Sequence, residues 1–357
     1  MRSGLRELLG RACEIGHVRA VAYDGDGRDA ELWQTLADAG WTAVTIPEAD
    51  GGAGLRFEDL ILVLEEAGRA VLPLPLTTTL LAARTIADAP PSPRRSELLS
   101  RIAGGSASVT LALRGVNAEQ PGCIAEREGE AWQLSGSHAL VPYGPLADLA
   151  LVEATLPDGG RGLFVVPSDA SEIEWSDLEL MDRSVPQYEM SLNDVAVAAE
   201  ASLFAGEDGG DAIDGLLDEW RAGLAAESLG VGERMLELTV AYAKEREQFG
   251  RPIGANQAVK ARIADMAAAV ERMRAAVYHA AVKIDAGAED RVVAVAMAKV
   301  ATAEPGAFVG GQAIHVHGGI GYTWEHDLHL YFKRIKSNEL LLGDATMHLA
   351  RIAEAVL

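Results

Sequence analysis

One segment of the sequence combines groups that can hold a phosphate. The stretch from Arg246 to Met266 reads REQFGRPIGANQAVKARIADM, with an arginine at the end of a predicted long helix and Gln257 at the start of the next one. An arginine presents five donors in a rigid fork that suits phosphate and pyrophosphate oxygens. The amide of Gln257 adds a donor where the helix dipole already favours an anion. The segment indicates a phosphate-binding turn, although an isolated arginine at a helix end is more often only solvated.

A second segment, from His315 to Asp327, carries paired glycines and reads HVHGGIGYTWEHD. Gly318 and Gly319 let a phosphate or ribose approach the backbone, where a side chain would collide. No predicted strand precedes them, so the pattern is not that of a dinucleotide-binding βαβ unit. The histidines of this segment and the following His329 lack a cysteine or carboxylate framework, which favours hydrogen-bonding and packing roles over metal binding. We expect no metal site.

The elements that position these segments follow from the spacing of apolar residues. Helical spacing runs from the N-terminus to about residue 103, short alternating segments follow, and long helices return from about residue 212. The acidic, glycine-rich run 205–211 is expected to be a linker or an exposed turn. The sequence therefore predicts an α+β, mostly α protein with a helical domain (1–103), a β domain (104–205) that forms an antiparallel sheet or barrel, and a helical bundle (206–357).

Composition limits the possible partners. Hydrophobic residues make up 49% and charged residues 24% of the chain, as in a globular protein with a sizeable core. Acidic residues outnumber basic ones by 53 to 31, and the net charge of −22 argues against nucleic acid and anionic membrane surfaces. Cys13 and Cys123 are isolated, which favours reduced thiols. With no signal peptide and no uninterrupted apolar span predicted, we expect a cytoplasmic protein.

The two phosphate-binding segments together resemble the acyl-CoA dehydrogenases. The resemblance rests on RxxFGxPIxxxQ and ADM, on HGGxGYT about fifty residues later, and on LADAGWTAVTIPEADGGAGL around residues 37–55. It implies a helical domain, a β domain of sandwich or barrel type and a C-terminal four-helix bundle. It also implies FAD as cofactor, with a glutamate that removes the α proton of an acyl-CoA while the β hydride passes to the flavin.

In that family the arginine of RxxFG and the glycine pair serve the FAD of the neighbouring subunit. The resemblance therefore implies that the cofactor-binding residues of this chain face a partner's FAD, with His315 in the place of the family's glutamine. The matching residues are Arg246, Phe249, Gln257, His315, Val316, His317, Gly318 and Gly319.

The positions that would hold a flavin ring in this chain depart from the family. The stretch Thr110–Val116 contains nothing like the family's TEPxxGSD. Leu140 stands at the position of the flavin-packing tryptophan, and Pro142 stands at that of the hydroxyl that bonds the ring. Because proline offers no N–H and no side-chain donor, an isoalloxazine edge would face unpaired groups there, at about 1–3 kcal/mol per lost bond.

The catalytic base is also absent from its two known positions. The family's usual glutamate aligns with Gly343, and an alternative position, 26 residues before Arg246, is Trp220. Asp344 and Glu219 are adjacent to these positions. A neighbouring residue on a helix points roughly 100° away, so both are weak candidates for a catalytic role.

Three hypotheses follow. The first is a non-catalytic subunit that completes the FAD site of a paralogous catalytic subunit, in a heterotetramer (α2β2) that dehydrogenates a bulky acyl-CoA. The segments WEHDLHLYFKR and LLLGDATMH resemble silent subunits of actinobacterial enzymes that act on CoA thioesters of steroid side chains. The second is a self-sufficient homotetrameric acyl-CoA dehydrogenase, or a relative, that uses Asp344 or Glu219. The third is a flavin-free scaffold protein.

Overall fold

The computed structural model of the chain describes residues 1–114 and 122–357. Packing divides it into two units, each assembled from separated stretches of sequence. The first unit comprises Met1–Ala20, Phe57–Leu72 and Arg221–Leu357, and the second comprises Val21–Arg56 and Pro73–Trp220. The division into consecutive domains at residues 103 and 205 stays a prediction, because the two units follow packing rather than chain order.

The first unit is helical. Its long helices carry one buried apolar stripe each, such as Met266, Val270, Met273 and Val277, and the spacing of these residues is that of the predicted helix. Its elements are α1 (Arg2–Ala12), α2 (Ile15–Arg19), α4 (Phe57–Arg69), the residues of α7 (Glu207–Glu245) from Arg221 onward, β9 (Glu247–Gln248), β10 (Arg251–Pro252), α8 (Gln257–Asp285), α9 (Arg291–His317), α10 (Leu328–Leu340) and α11 (Ala345–Val356).

Buried ion pairs hold α1 against α4 and α7. Arg2 donates to Glu66 at 2.9 Å and to Glu233 at 3.0 Å, and it also donates to Glu65. Arg6 donates twice to Glu66, at 2.9 and 2.5 Å. The carboxylates of Glu65 and Glu66, neighbours in sequence, are both buried, and burial raises the pKa of Glu65. Because removal of one partner would leave a buried charge unpaired, this network fixes the position of α1.

The described residues of the second unit contain a sheet, three complete helices and the first part of α7, up to Trp220. The sheet order is β6-β7-β3-β2-β4-β5-β8, with β1 on β4, and its pairs are antiparallel except β1–β4 and β2–β4. Its elements are α3 (Ala30–Asp38), α5 (Leu76–Asp88), α6 (Pro93–Ala103), β1 (Val109–Ala112), β2 (Ile124–Glu128), β3 (Ala131–Pro142), β4 (Leu149–Thr155), β5 (Arg161–Pro167), β6 (Ile173–Leu178), β7 (Gln187–Val197) and β8 (Ser202–Phe204).

The predicted succession of helices, strands and long helices is confirmed, with one local error. The run 205–211 was expected to be a linker, but α7 begins at Glu207 within it. The reason lies at Gly209, where a Cβ would come within 2.0 Å of the carbonyl oxygen of Arg161. Here glycine permits a helix to approach a strand closely, so it does not mark a break.

Residues Arg291–Tyr322, which include α9, are long and apolar enough to cross a membrane by length and composition alone. Half of the 18-residue apolar window within this stretch is buried inside the protein. The central helix of a helical bundle has the same properties. Lys299 lies in the middle of α9 and donates hydrogen bonds to backbone carbonyls at the end of α10, as expected of a core helix.

Candidate functional site

The predicted phosphate-binding turn is a two-stranded hairpin that follows α7. The strands β9 and β10 pair through Gln248 and Arg251, and the backbone N–H of Ile253 donates to the carbonyl of Arg246 at 2.8 Å. The tip residues Phe249 and Gly250 both have positive φ, of 54° and 77°. A two-residue turn with positive φ at both positions is the one that suits the twist of a hairpin. This turn presents Phe249 to solvent with 98% of its surface exposed.

Tyr242, near the end of α7, contacts His317, the residue that precedes the glycine pair Gly318 and Gly319. Its ring stacks on His317 with centroids 4.3 Å apart, and its hydroxyl donates to the His317 carbonyl at 3.4 Å. The ring of His317 is buried, and its Nδ1 lies 2.8 Å from the carbonyl of Ala313, one helical turn earlier. Burial lowers the pKa of His317, which favours the neutral ring. The end of α9 is therefore fixed to the end of α7.

The start of α8 joins the same end of the unit. Gln257 is its first residue and is exposed, with Asn256 at the N-cap. Five residues further on, Arg262 donates to Gln312 of α9 at 2.6 Å, three residues before His315. The N-terminus of α8, the Arg246 guanidinium and the Gln257 amide thus lie at the same end of the helical unit as the C-terminal ends of α7 and α9. The first three are donors of the kind that an anion requires.

Most of the predicted cofactor-binding residues are accessible on this surface. Only His317 is buried, and Val316 is half-buried. Gly318 has a φ of 68°, and a Cβ at Gly318 or at Gly319 would meet no atom within 4 Å. The backbone is therefore open to a ligand at both glycines. The exposed members are Arg246, Phe249, Gln257, His315, Gly318 and Gly319.

Two described residues at positions aligned with the flavin-ring site, Leu140 and Pro142, offer no side-chain donor to an isoalloxazine. Pro142 is buried at the end of β3, and its carbonyl accepts a hydrogen bond from the hydroxyl of Thr110. The hydroxyl of Thr110, on β1, is therefore already hydrogen-bonded within the second unit. Leu140 has a left-handed φ of 58° at an irregularity of β3 and is partly exposed. Gly115 and Val116, the end of the segment that lacks TEPxxGSD, lie outside the described residues.

The position aligned with the usual catalytic glutamate has a backbone conformation that is unfavourable for a side chain. Gly343 has a φ of 108°, which residues with a Cβ rarely adopt. A Cβ there would lie 1.9 Å from the methyl carbon of Met347 and 3.1 Å from Nε2 of His348. The thioether end of Met347 therefore occupies the space where a carboxylate would begin.

The two candidate bases make contacts of a structural kind. The Oδ1 atom of Asp344 accepts from the backbone N–H of Met347 at 2.9 Å and caps α11. Both carboxylate oxygens of Glu219 accept from Arg84, at 2.9 to 3.2 Å. Trp220, the alternative family position, is buried.

Two buried basic residues near Gly343, Lys299 and His348, were not predicted from the sequence. Lys299 is buried and donates to the carbonyls of Asn338 and Leu341 at 2.5 and 2.8 Å. Desolvation, together with nearby Arg221, lowers the pKa of Lys299 to about 7. The pKa of buried His348 is lowered to about 4, first by desolvation and then by neighbouring cations. No spacing in the sequence signals this cluster, because its members come from separate helices.

A helical unit, a β-sheet unit and an exposed surface that gathers the predicted phosphate-binding residues agree with the class of FAD-dependent oxidoreductases. The chain belongs to the acyl-CoA dehydrogenase family. Residues 2–106 match the profile of the acyl-CoA dehydrogenase N-terminal domain, and residues 207–357 match that of the C-terminal domain.

Two relatives are similar to this chain over nearly its whole length. Acyl-CoA dehydrogenase IpdE2 of Mycolicibacterium smegmatis is 33% identical over 100% of this chain and 97% of its own length. Acyl-CoA dehydrogenase FadE27 of Mycobacterium tuberculosis is 34% identical over 97% of this chain and 93% of its own length.

Two solved structures of two-chain assemblies are similar to this chain. A Tcur3481–Tcur3483 steroid acyl-CoA dehydrogenase variant has 37% identity and a TM-score of 0.89, over 99% of this chain and 96% of the other. The ChsE4–ChsE5 complex of Mycobacterium tuberculosis has 31% identity and a TM-score of 0.91, over 99% and 95%. The chain is thus close to subunits of heteromeric steroid acyl-CoA dehydrogenases.

Proposed function

We propose that this chain is the non-catalytic subunit of a heteromeric acyl-CoA dehydrogenase and completes the FAD site of a paralogous catalytic subunit. The substrate of the assembly is a bulky acyl-CoA of the steroid side-chain type, and the assembly is an α2β2 heterotetramer in the cytoplasm. Support for the substrate class and for a two-chain assembly comes from the Tcur3481–Tcur3483 and ChsE4–ChsE5 proteins.

One contrast carries the proposal. The side chains that would hold the phosphate end of FAD are exposed and gathered on one surface, whereas the family's base position holds Gly343 with Met347 packed into the space beside it. A chain that used its own flavin would need donors for the ring and a carboxylate, and Pro142 and Gly343 supply neither.

The residues of this surface have distinct roles in the proposal. Arg246 neutralises the pyrophosphate through its guanidinium, and Gln257 donates from the start of α8. The backbone at Gly318 and Gly319 allows close approach of the dinucleotide. Exposed Phe249 offers an apolar face to its adenosine part. When bound, FAD accepts the hydride from the acyl-CoA in the partner's site, so this chain contributes binding and orientation rather than chemistry.

The test is co-expression with candidate paralogous chains and measurement of bound flavin in the co-purified complex. We expect a stable complex with FAD, and we expect the Arg246→Ala complex to retain much less FAD, since a charge-assisted contact contributes about 1.5–3 kcal/mol. The matched control is Arg251→Ala, in the same hairpin, where Arg251 is exposed and donates to Asn256 at 2.9 Å.

The outcomes separate the three hypotheses. Equal flavin loss in both arginine variants, or none in either, contradicts a role for Arg246 in FAD binding and favours a scaffold. Stoichiometric flavin in the chain purified alone, bleached by an acyl-CoA, favours the self-sufficient enzyme that uses Asp344 or Glu219.

A further inference from the structure

A cavity of about 380 Å³ lies in the helical unit, apart from the surface formed by the hairpin and the end of α9. Such a volume is in the range of small-molecule sites. Its lining comes from α1, the α1–α2 turn, α2, α4, α7 and α10. The lining residues are Arg6, Leu9, Gly10, Cys13, Glu14, Ile15, Glu66, Arg69, Ala70, Arg234 and Tyr331.

The cavity has an apolar side and a side lined by charged groups. Leu9, Gly10 and Ile15 form an apolar side at the first two helices, and three guanidinium groups from α1, α4 and α7 line the rest with Tyr331. Three arginines face two glutamates in the lining, and Glu237, outside the lining, pairs with Arg69 and Arg234, so three carboxylates balance the three guanidinium charges. In a chain with a net charge of −22, this is an unusual place for arginines to collect.

The arginines are held in place by carboxylates of the same unit. Arg69 donates to both oxygens of Glu237, at 2.8 Å to one of them, and Arg6 forms the pair with Glu66 described above. Arg234 contacts Glu237 at 3.4 Å and hydrogen-bonds with Tyr331, and 39% of its side chain is exposed. Since a guanidinium has five donors, Arg234 keeps donors for a ligand on a preorganised support.

We propose that this cavity binds a small organic monocarboxylate with a compact apolar body, with Arg234 as the anchor of its carboxylate. Because carboxylates already balance the arginine charges, this site suits a monoanion better than a phosphate dianion. The apolar part of the ligand would bury surface against the apolar side of the cavity, and an inorganic anion has no apolar surface to bury there. The inference is independent of the FAD-completing role, because it uses none of the residues of that surface.

The test is titration calorimetry of the full-length chain with cyclohexanecarboxylate, with inorganic phosphate as the comparison. We expect saturable binding of the carboxylate at millimolar concentrations and at least roughly tenfold weaker binding in Arg234→Gln. Gly10→Leu is a second variant that should abolish binding. A Cβ at Gly10 meets no atom within 4 Å, so the new side chain has open space at its base beside the cavity, and leucine suits a helix better than glycine.

The matched control is Arg11→Gln. Arg11 is exposed on the same helix, pairs with Glu7 at 3.0 Å and is absent from the cavity lining. Unchanged binding in Arg11→Gln beside loss in the two cavity variants supports the site. No saturable binding, equal binding in Gly10→Leu, or phosphate binding as tight as that of the carboxylate would overturn the proposal.

Discussion

At the scale of single residues, the tolerance of Gly343 for a side chain can be measured directly. We expect Gly343→Ala to lower the free energy of unfolding by about 2 kcal/mol, because its φ of 108° is unfavourable for alanine and Met347 must move. The matched control is Gly287→Ala, where φ is 57° and a Cβ meets no atom within 4 Å. That substitution carries only the conformational cost, about 1 kcal/mol. Urea unfolding of the two variants checks the difference.

The Met347 contribution can be isolated. In a Met347→Ala background, Gly343→Ala should cost less than in the native chain but still more than Gly287→Ala, since the blocking methyl carbon is gone while a φ of 108° stays outside the left-handed α region. An undiminished cost in that background would mean that the backbone conformation alone excludes a side chain at Gly343.

The sequence predicts different residues of the candidate site to different degrees. Arg246, Gln257 and the glycine pair stand in a motif whose spacing sets their surroundings, so their position at helix ends could be predicted. The closure of Gly343 by Met347 could not be predicted, because it depends on a backbone angle and on a side-chain conformation. Whether the first group binds FAD stays a prediction.

At the scale of elements, the crossing of α4 and α7 depends on a glycine. A Cβ at Gly230 would lie 1.8 Å from the carbonyl oxygen of Glu65, an atom of the helix backbone that cannot rotate away. We expect Gly230→Ala to destabilise the protein by about 2–4 kcal/mol, since the two helices must separate. Gly215→Ala, on the same helix with no atom within 4 Å, should instead stabilise by up to about 1 kcal/mol. Thermal unfolding of both variants tests the pair, and equal effects would contradict the close crossing.

The junction of α9 with α10 should make stability depend on pH. The folded-state pKa of Lys299 is lowered to about 7, below that of an unfolded lysine. Between these two pKa values the unfolded state binds the extra proton, so the free energy of unfolding rises with pH, by at most about 1.4 kcal/mol per unit. The cost of burying the charge is fully present below pH 7. In Lys299→Met this contribution to the slope from pH 7 to 9 should vanish in urea titrations, and parallel slopes for both proteins would contradict it.

At the scale of the whole molecule, the order of helices, strands and long helices could be predicted, but the packing units could not. Periodicity identifies which face of each element is apolar, and the predicted stripe of Met266, Val270, Met273 and Val277 is the buried face of α8. It does not identify partners far apart in sequence, such as α1 and α4 with α7. Those contacts depend on ion pairs between residues separated by 64 and 231 positions, which leave no local pattern.

The asymmetry between phosphate-binding surface and ring site predicts the flavin content of the complete assembly. If this chain completes a partner's site and holds no ring of its own, each pair of chains should contain one FAD rather than the two expected when both subunits hold a flavin. The measurement combines flavin absorbance of the denatured complex with its native mass. The chain alone serves as the control and should carry none, because Pro142 and Leu140 replace the groups that would hold the ring. Two flavins per pair would show that the β-sheet unit seats an isoalloxazine in spite of these residues, and the division of labour between the subunits would have to be abandoned.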